Sequence, residues 1–145
     1  MGGNIKIAFS FLFLTALGLI FLWLGKLADP GFSDFPLRGG DSKQYAQSAL
    51  NLLHYGQFSL SSAPPLLPDA FRTPGYPVFV ALIFAVFKSF FAVSIAQIIL
   101  QGFLVALFYR LVLRFFNRRV ALLAAVLLML EPSMIIYSTW LATDT

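Results

Sequence analysis

The chain has 145 residues, of which 59% are hydrophobic and 11% charged, whereas a water-soluble domain carries about 25% charged residues. With 17 phenylalanines and a mean hydropathy of +0.85, it has too little polar surface to wrap a single globular core. Composition therefore excludes a soluble globular domain and implies an integral membrane protein. The chain has no cysteine, which excludes a disulfide framework, a thiolate metal site and a thiol nucleophile. Ten Lys and Arg stand against five Asp and one Glu, a net charge of +4. These cations flank apolar stretches instead of forming a basic face with interleaved aromatics, so no nucleic-acid partner is expected.

The first apolar run, Ile7 to Gly25, lies between Lys6 and Lys26 and approaches the roughly 20 residues needed to cross about 30 Å of hydrocarbon. It predicts a first transmembrane helix over about residues 5–27. A signal peptide would have a shorter apolar core, about 7–15 residues, and a small-residue cleavage site. The composition then changes, because residues 28–74 hold six of the eight prolines and four of the six acidic residues. Within this stretch, Asp41 followed by Gln44 fits a capping box and Gly56 fits a left-handed C-cap, which predicts a helix over about 42–55. Tyr45, Ala49, Leu52 and Leu53 recur on its apolar face, while Lys43, Gln47 and Asn51 point elsewhere. Such a helix lies flat on a membrane surface or on other helices. Asp41 stands at its start, either as a simple cap or as a chemically active carboxylate. The Ser- and Pro-rich stretch Gln57 to Pro68 reads as irregular.

Next comes Phe71-Arg72-Thr73-Pro74-Gly75-Tyr76-Pro77, where Arg72 has donors suited to bidentate phosphate binding and equally suits an interfacial anchor alongside Tyr76. The apolar run from Thr73 to Phe87 is short of a full crossing and predicts a re-entrant or interfacial helix. Uncharged runs at Ser89–Tyr109 and Val120–Thr143, the latter interrupted only by Glu131, predict spans over about 93–116 and 120–142 joined by a turn at 117–119. Arg110, Arg114, Arg118 and Arg119 mark that turn as cytoplasmic. With 28–92 as a single external loop, Asp41 and Asp144 face the same side; if the Thr73 segment crossed, they would face opposite sides. Glu131 is an ionisable residue inside an apolar run, and so either a functional intramembrane site or a neutral carboxyl bonded between helices. His54 is the single histidine, which makes a zinc site improbable.

The order of these features resembles the N-terminal module of GT-C membrane glycosyltransferases. The resemblance is to the branch related to protein O-mannosyltransferases and the lipid A aminoarabinose transferase. It is carried by Asp41-Ser42-Lys43-Gln44-Tyr45-Ala46, the turn at 56–58, Arg72-Thr73-Pro74-Gly75-Tyr76-Pro77, Gln97 and Gln101, and Leu141-Ala142-Thr143-Asp144. It implies an all-α integral membrane fold of three transmembrane helices, with an external loop holding an amphipathic juxtamembrane helix and a re-entrant or interfacial helix. It also implies inverting transfer of a sugar from a polyprenyl-phosphate donor to a lipid, glycan or protein acceptor on the non-cytoplasmic, periplasmic side of a bacterial inner membrane. In that scheme Asp41 is the catalytic base, Asp144 the second acidic residue, and Arg72 with Tyr76 bind the donor phosphate. A divalent cation is a candidate second stabiliser, although two Asp residues make an incomplete oxygen shell and the metal is left open. Relatives continue through further spans, so the chain is expected to be a fragment that is inactive alone. The competing expectation is a non-catalytic membrane scaffold or transporter subunit in which Glu131 is the functional residue.

Overall fold

The computed structural model describes Gly18, Leu37, residues 40–68 and residues 72–141. Among these, the regular elements are five helices: α1 (Gly40–Tyr55), α2 (Gly75–Phe87), α3 (Phe90–Val112), α4 (Arg118–Met129) and α5 (Pro132–Thr139). They fall into two units, one of described residues from Leu37 to Ala96 with Trp140 and Leu141, the other of Gly18 with Gln97–Thr139.

In the first unit α1 packs on α2 through small side chains. Ala46 and Ala49 of α1 cluster with Val80 and Ala81 of α2, and Val93 and Leu141 complete the buried core. Side chains this short let two helical backbones approach closely, so dispersion contacts accumulate over the whole crossing. Helix α1 ends as its sequence predicts: Gly56 takes φ +65° and returns its N–H to the Leu52 carbonyl at 3.0 Å, a conformation that costs glycine little. Its start differs. The helix begins at Gly40, which puts Asp41 inside the first turn and not at the cap.

The stretch after Gly56 is irregular but firmly held. Asn51 Nδ2 donates to the carbonyls of Ser59 at 2.8 Å and Ser61 at 2.9 Å, and Gln47 Nε2 donates to Asn51 Oδ1 at 3.0 Å. The Ser61 hydroxyl accepts from the Leu67 N–H at 3.2 Å, while the Ser59 hydroxyl donates to the Leu67 carbonyl. Asn51, on the polar side of α1 by helical spacing, is buried because this segment folds back over it.

Helix α2 has thirteen residues, about 20 Å of rise, which is short of a hydrocarbon crossing. It stops at Lys88, whose left-handed backbone (φ 53°) sends its N–H to the Phe84 carbonyl at 2.8 Å. The rings of Phe84 and Phe90 then meet at 4.5 Å across the tight turn into α3.

Helix α3 is the one described helix long and apolar enough to cross a membrane; its twenty-three residues rise about 34 Å. Ile99, Leu100, Phe103, Leu104, Leu107 and Leu111 are each 43–55% exposed, an apolar surface that suits hydrocarbon and not water. The following apolar run, expected as a single span over 120–142, is divided into α4 of twelve residues and α5 of eight. Pro132 explains the break, since it has no N–H and its ring would collide with the carbonyl one turn back. Glu131 sits at the break, exposed, accepting from the Met134 N–H at 3.0 Å and the Ser133 hydroxyl at 3.1 Å. It caps α5. Gln97 Nε2 of α3 donates to the Tyr137 carbonyl of α5 at 3.2 Å.

Of the first apolar run, Gly18 is described: it is helical and lies against Ile98, where an added Cβ would meet the Ile98 Cγ2 at 2.6 Å. The rest of the expected first span lies outside the described residues.

Two outcomes follow from this packing. Gly18→Ala should lower stability by about 1–3 kcal/mol, because the β-branched Ile98 has little room to yield; a melting temperature equal to wild type would refute the close contact. Asn51→Ala should expose residues 57–68 to limited proteolysis well before the rest of the chain is cut, since the Ser59 carbonyl loses its Asn51 donor and the Ser61 carbonyl keeps only the 3.4 Å bond from Gln47 Nε2.

Candidate active site

Asp41, Gln44 and Tyr45 stand at i, i+3 and i+4, so they share one face of the first two turns of α1. Opposite them, Pro74 occupies the N-cap of α2 and restricts Thr73 to an extended backbone, which holds Arg72 just off the end of that helix. The Arg72 side chain turns inward onto α1 and leaves the residue only 8% exposed.

Among the described residues its donors reach three acceptors. Nη2 forms the ion pair with Asp41 Oδ1 and also donates to Gln44 Oε1 at 2.9 Å. Nε reaches the same Gln44 oxygen at 3.2 Å, and Nη1 donates to the Tyr45 hydroxyl at 3.4 Å. The guanidinium carbon lies 5.1 Å from the centre of the Tyr45 ring, within range of a cation–π attraction. Tyr45 is in turn met edge-on by Tyr76 at 4.8 Å, and Tyr76 stacks on Phe79 at 6.2 Å. A planar fork with five N–H groups can serve several acceptors at once; a lysine ammonium in the same place could not reproduce that geometry.

Burial is the largest influence on the Arg72 pKa and acts to lower it. The hydrogen bond to Asp41 and the electrostatic attractions of Tyr45 and Asp41 together outweigh burial, so the value is raised above the ordinary arginine range. A raised value keeps the guanidinium charged, so titration of Arg72 itself takes away none of this stability at any pH below that range and does so only above it. Arg72 itself therefore contributes no pH dependence between about pH 5 and 9. The pair is asymmetric: the Arg72 side chain is 6% exposed and that of Asp41 45%. The cation is sealed in, while the carboxylate it holds still faces solvent.

Three of the residues singled out from the sequence, Asp41, Arg72 and Tyr76, are thus brought into one constellation. Glu131 is not part of it; that carboxylate belongs to the other unit and is engaged by its own helix. Asp144 lies outside the described residues. Sequence spacing alone assigned Gln44 to a capping box and Tyr45 to an apolar face, and so missed both as partners of Arg72. Their shared helical face with Asp41 was the available signal.

Among the described residues no three His, Cys, Asp or Glu side chains gather to hold a metal ion. At this site the one described carboxylate, already facing a guanidinium, is by itself an incomplete oxygen shell for a divalent cation.

Residues 71–145, a little over half of the chain, match the family model described as dolichyl-phosphate-mannose-protein mannosyltransferase. The class is therefore a membrane-integral glycosyltransferase of the GT-C type. The chain belongs to the dolichyl-phosphate-mannose-protein mannosyltransferase family. Neither a curated protein nor a solved structure matches it. The matched stretch starts one residue before Arg72 and includes Tyr76 and α2 to α5, whereas Asp41, Gln44 and Tyr45 precede it.

A double-mutant cycle on Asp41 and Arg72, read by thermal or chemical unfolding, should return a coupling of about 0.5–3 kcal/mol. Strictly additive single-variant effects would show that the two side chains do not interact in the folded protein.

Proposed function

We propose that the chain transfers a sugar from a polyprenyl-phosphate donor to an acceptor hydroxyl by inverting single displacement, with Asp41 as the base. The acceptor oxygen attacks the anomeric carbon as its proton passes to the Asp41 carboxylate. The bond from that carbon to the phosphate oxygen breaks, and polyprenyl phosphate leaves with the electron pair. The observation that carries this reading is the half-exposed carboxylate of Asp41 held in place by a sealed arginine, in a chain of a membrane glycosyltransferase family.

In this scheme Arg72 is a positioning residue. Its inward-turned donors fix the direction of the Asp41 carboxylate, which matters because proton transfer requires alignment with the attacking hydroxyl. The Tyr45 ring faces the guanidinium, and Tyr76 braces that ring edge-on. Asp144 is the proposed second acidic residue on the same face of the membrane. That face is the non-cytoplasmic one in this proposal, because α3 has crossing length and the arginines follow its C-terminal end.

In an assay of lipid-linked sugar transfer by the full-length protein, Asp41→Asn should lower kcat by about 10²–10⁴-fold in protein that still folds, with a lowered melting temperature because the sealed Arg72 loses its charged partner, and Glu131→Gln should be tolerated. Retained transfer by Asp41→Asn would refute the proposal. The opposite pattern, in which Glu131→Gln abolishes function and Asp41→Asn does not, would favour the transporter reading.

A further inference from the structure

Four arginines, Arg110, Arg114, Arg118 and Arg119, crowd into ten residues at the turn between α3 and α4, and all four are exposed. No acidic residue occurs between Arg72 and Glu131 in the sequence, and among the described residues none of the four has a carboxylate partner. The turn is rigid. The N–H groups of Leu113 to Phe116 return to carbonyls of α3 at 2.9–3.1 Å, and Asn117 Oδ1 accepts from the N–H groups of Arg119 and Val120 at 3.0 and 3.1 Å. Arg118 and Arg119 occupy the first turn of α4, where the helix dipole disfavours cations. Nothing described within the chain therefore recruits this charge.

Two further features sit beside it. Phe115 and Phe116, in the middle of the arginines, are 75% and 60% exposed. Within the same unit, an apolar crevice between α3 and α4 is lined by Val105, Tyr109, Ala125, Val126 and Met129, all within three turns of the arginines along each helix. A cationic rim, two exposed phenyl rings and an adjoining apolar crevice match one kind of molecule, with an anionic head and hydrocarbon tails.

We propose that this turn is a binding site for anionic membrane phospholipid. The guanidinium groups engage the lipid phosphate, Phe115 and Phe116 sit at the acyl boundary, and an acyl chain follows the crevice between α3 and α4. Guanidinium forks suit phosphate oxygens better than ammonium groups do. Asn117 Oδ1 takes the Arg119 and Val120 N–H groups, so the phosphate is held mainly by side chains. The site is independent of Asp41 and of the transfer chemistry.

The test uses the full-length protein in nanodiscs of phosphatidylcholine mixed with phosphatidylglycerol or cardiolipin, with native mass spectrometry of retained lipid as the readout. Wild type should retain the anionic lipid over phosphatidylcholine, and should do so less at high salt. Each neutralised arginine should weaken retention roughly five-fold, so that Arg118→Gln with Arg119→Gln loses about twenty-five-fold, while Lys88→Gln changes little. Cysteine labelling of the variants checks that insertion and orientation are unchanged. Equal retention of neutral and anionic lipid by wild type would overturn the proposal without any variant. A correctly inserted double variant that keeps wild-type selectivity would overturn it as well.

Discussion

The first unit depends on what becomes of one buried cation. A guanidinium removed from water needs acceptors in fixed places, and an uncompensated buried charge costs several kcal/mol. The first two turns of α1 supply those acceptors from three side chains, and the ring of Tyr45 adds a π face. Because the cation is anchored just before α2 and its acceptors belong to α1, satisfying Arg72 locks the α1–α2 crossing at the same time as it aims Asp41. Small residues along that crossing allow it: Ala46, Ala49 and Ala81 leave the two backbones close enough for a single arginine to bridge them.

The same logic divides polar from apolar work along the chain. Around α1, polar side chains are consumed by backbone groups of an irregular segment, so that Asn51 and Gln47 tie the Ser59 and Ser61 carbonyls to the helix. Helix α3 instead satisfies its backbone internally and turns leucine and phenylalanine outward, which is the solution a bilayer imposes. Where Pro132 interrupts the last apolar run, Glu131 meets the amide of Met134. An acidic side chain in an apolar stretch thus answers a local backbone need created by its neighbour.

Much of the helical plan was legible in the residues. The Gly56 C-cap ends α1 where expected, and the length of the uncharged run before Arg110 produces a helix of crossing length. Asp41, Arg72 and Tyr76 were recognisable as unusual residues in their own segments. Their meeting was not, because Asp41 and Arg72 are 31 residues apart and no periodicity encodes which distant segment returns to which helix face. Gln44 was misassigned for that reason: a capping box is a local pattern, and a guanidinium arriving from outside the helix competes for the same oxygen. The run expected as one span across 120–142 has a helical break at Glu131, because hydropathy counts apolar residues and takes no account of the amide that proline lacks.

By itself, then, the order of residues determined the solvent, the helical character and the chemical types available, since these follow from composition and from spacings of a few residues. Only the tertiary structure decided that Arg72 is sealed while Asp41 stays open, that Glu131 is a cap, and that residues 57–68 are held by α1. Each of those outcomes is a choice among competing hydrogen-bond partners, and such choices are settled by which groups the folded chain brings within about 3 Å of one another.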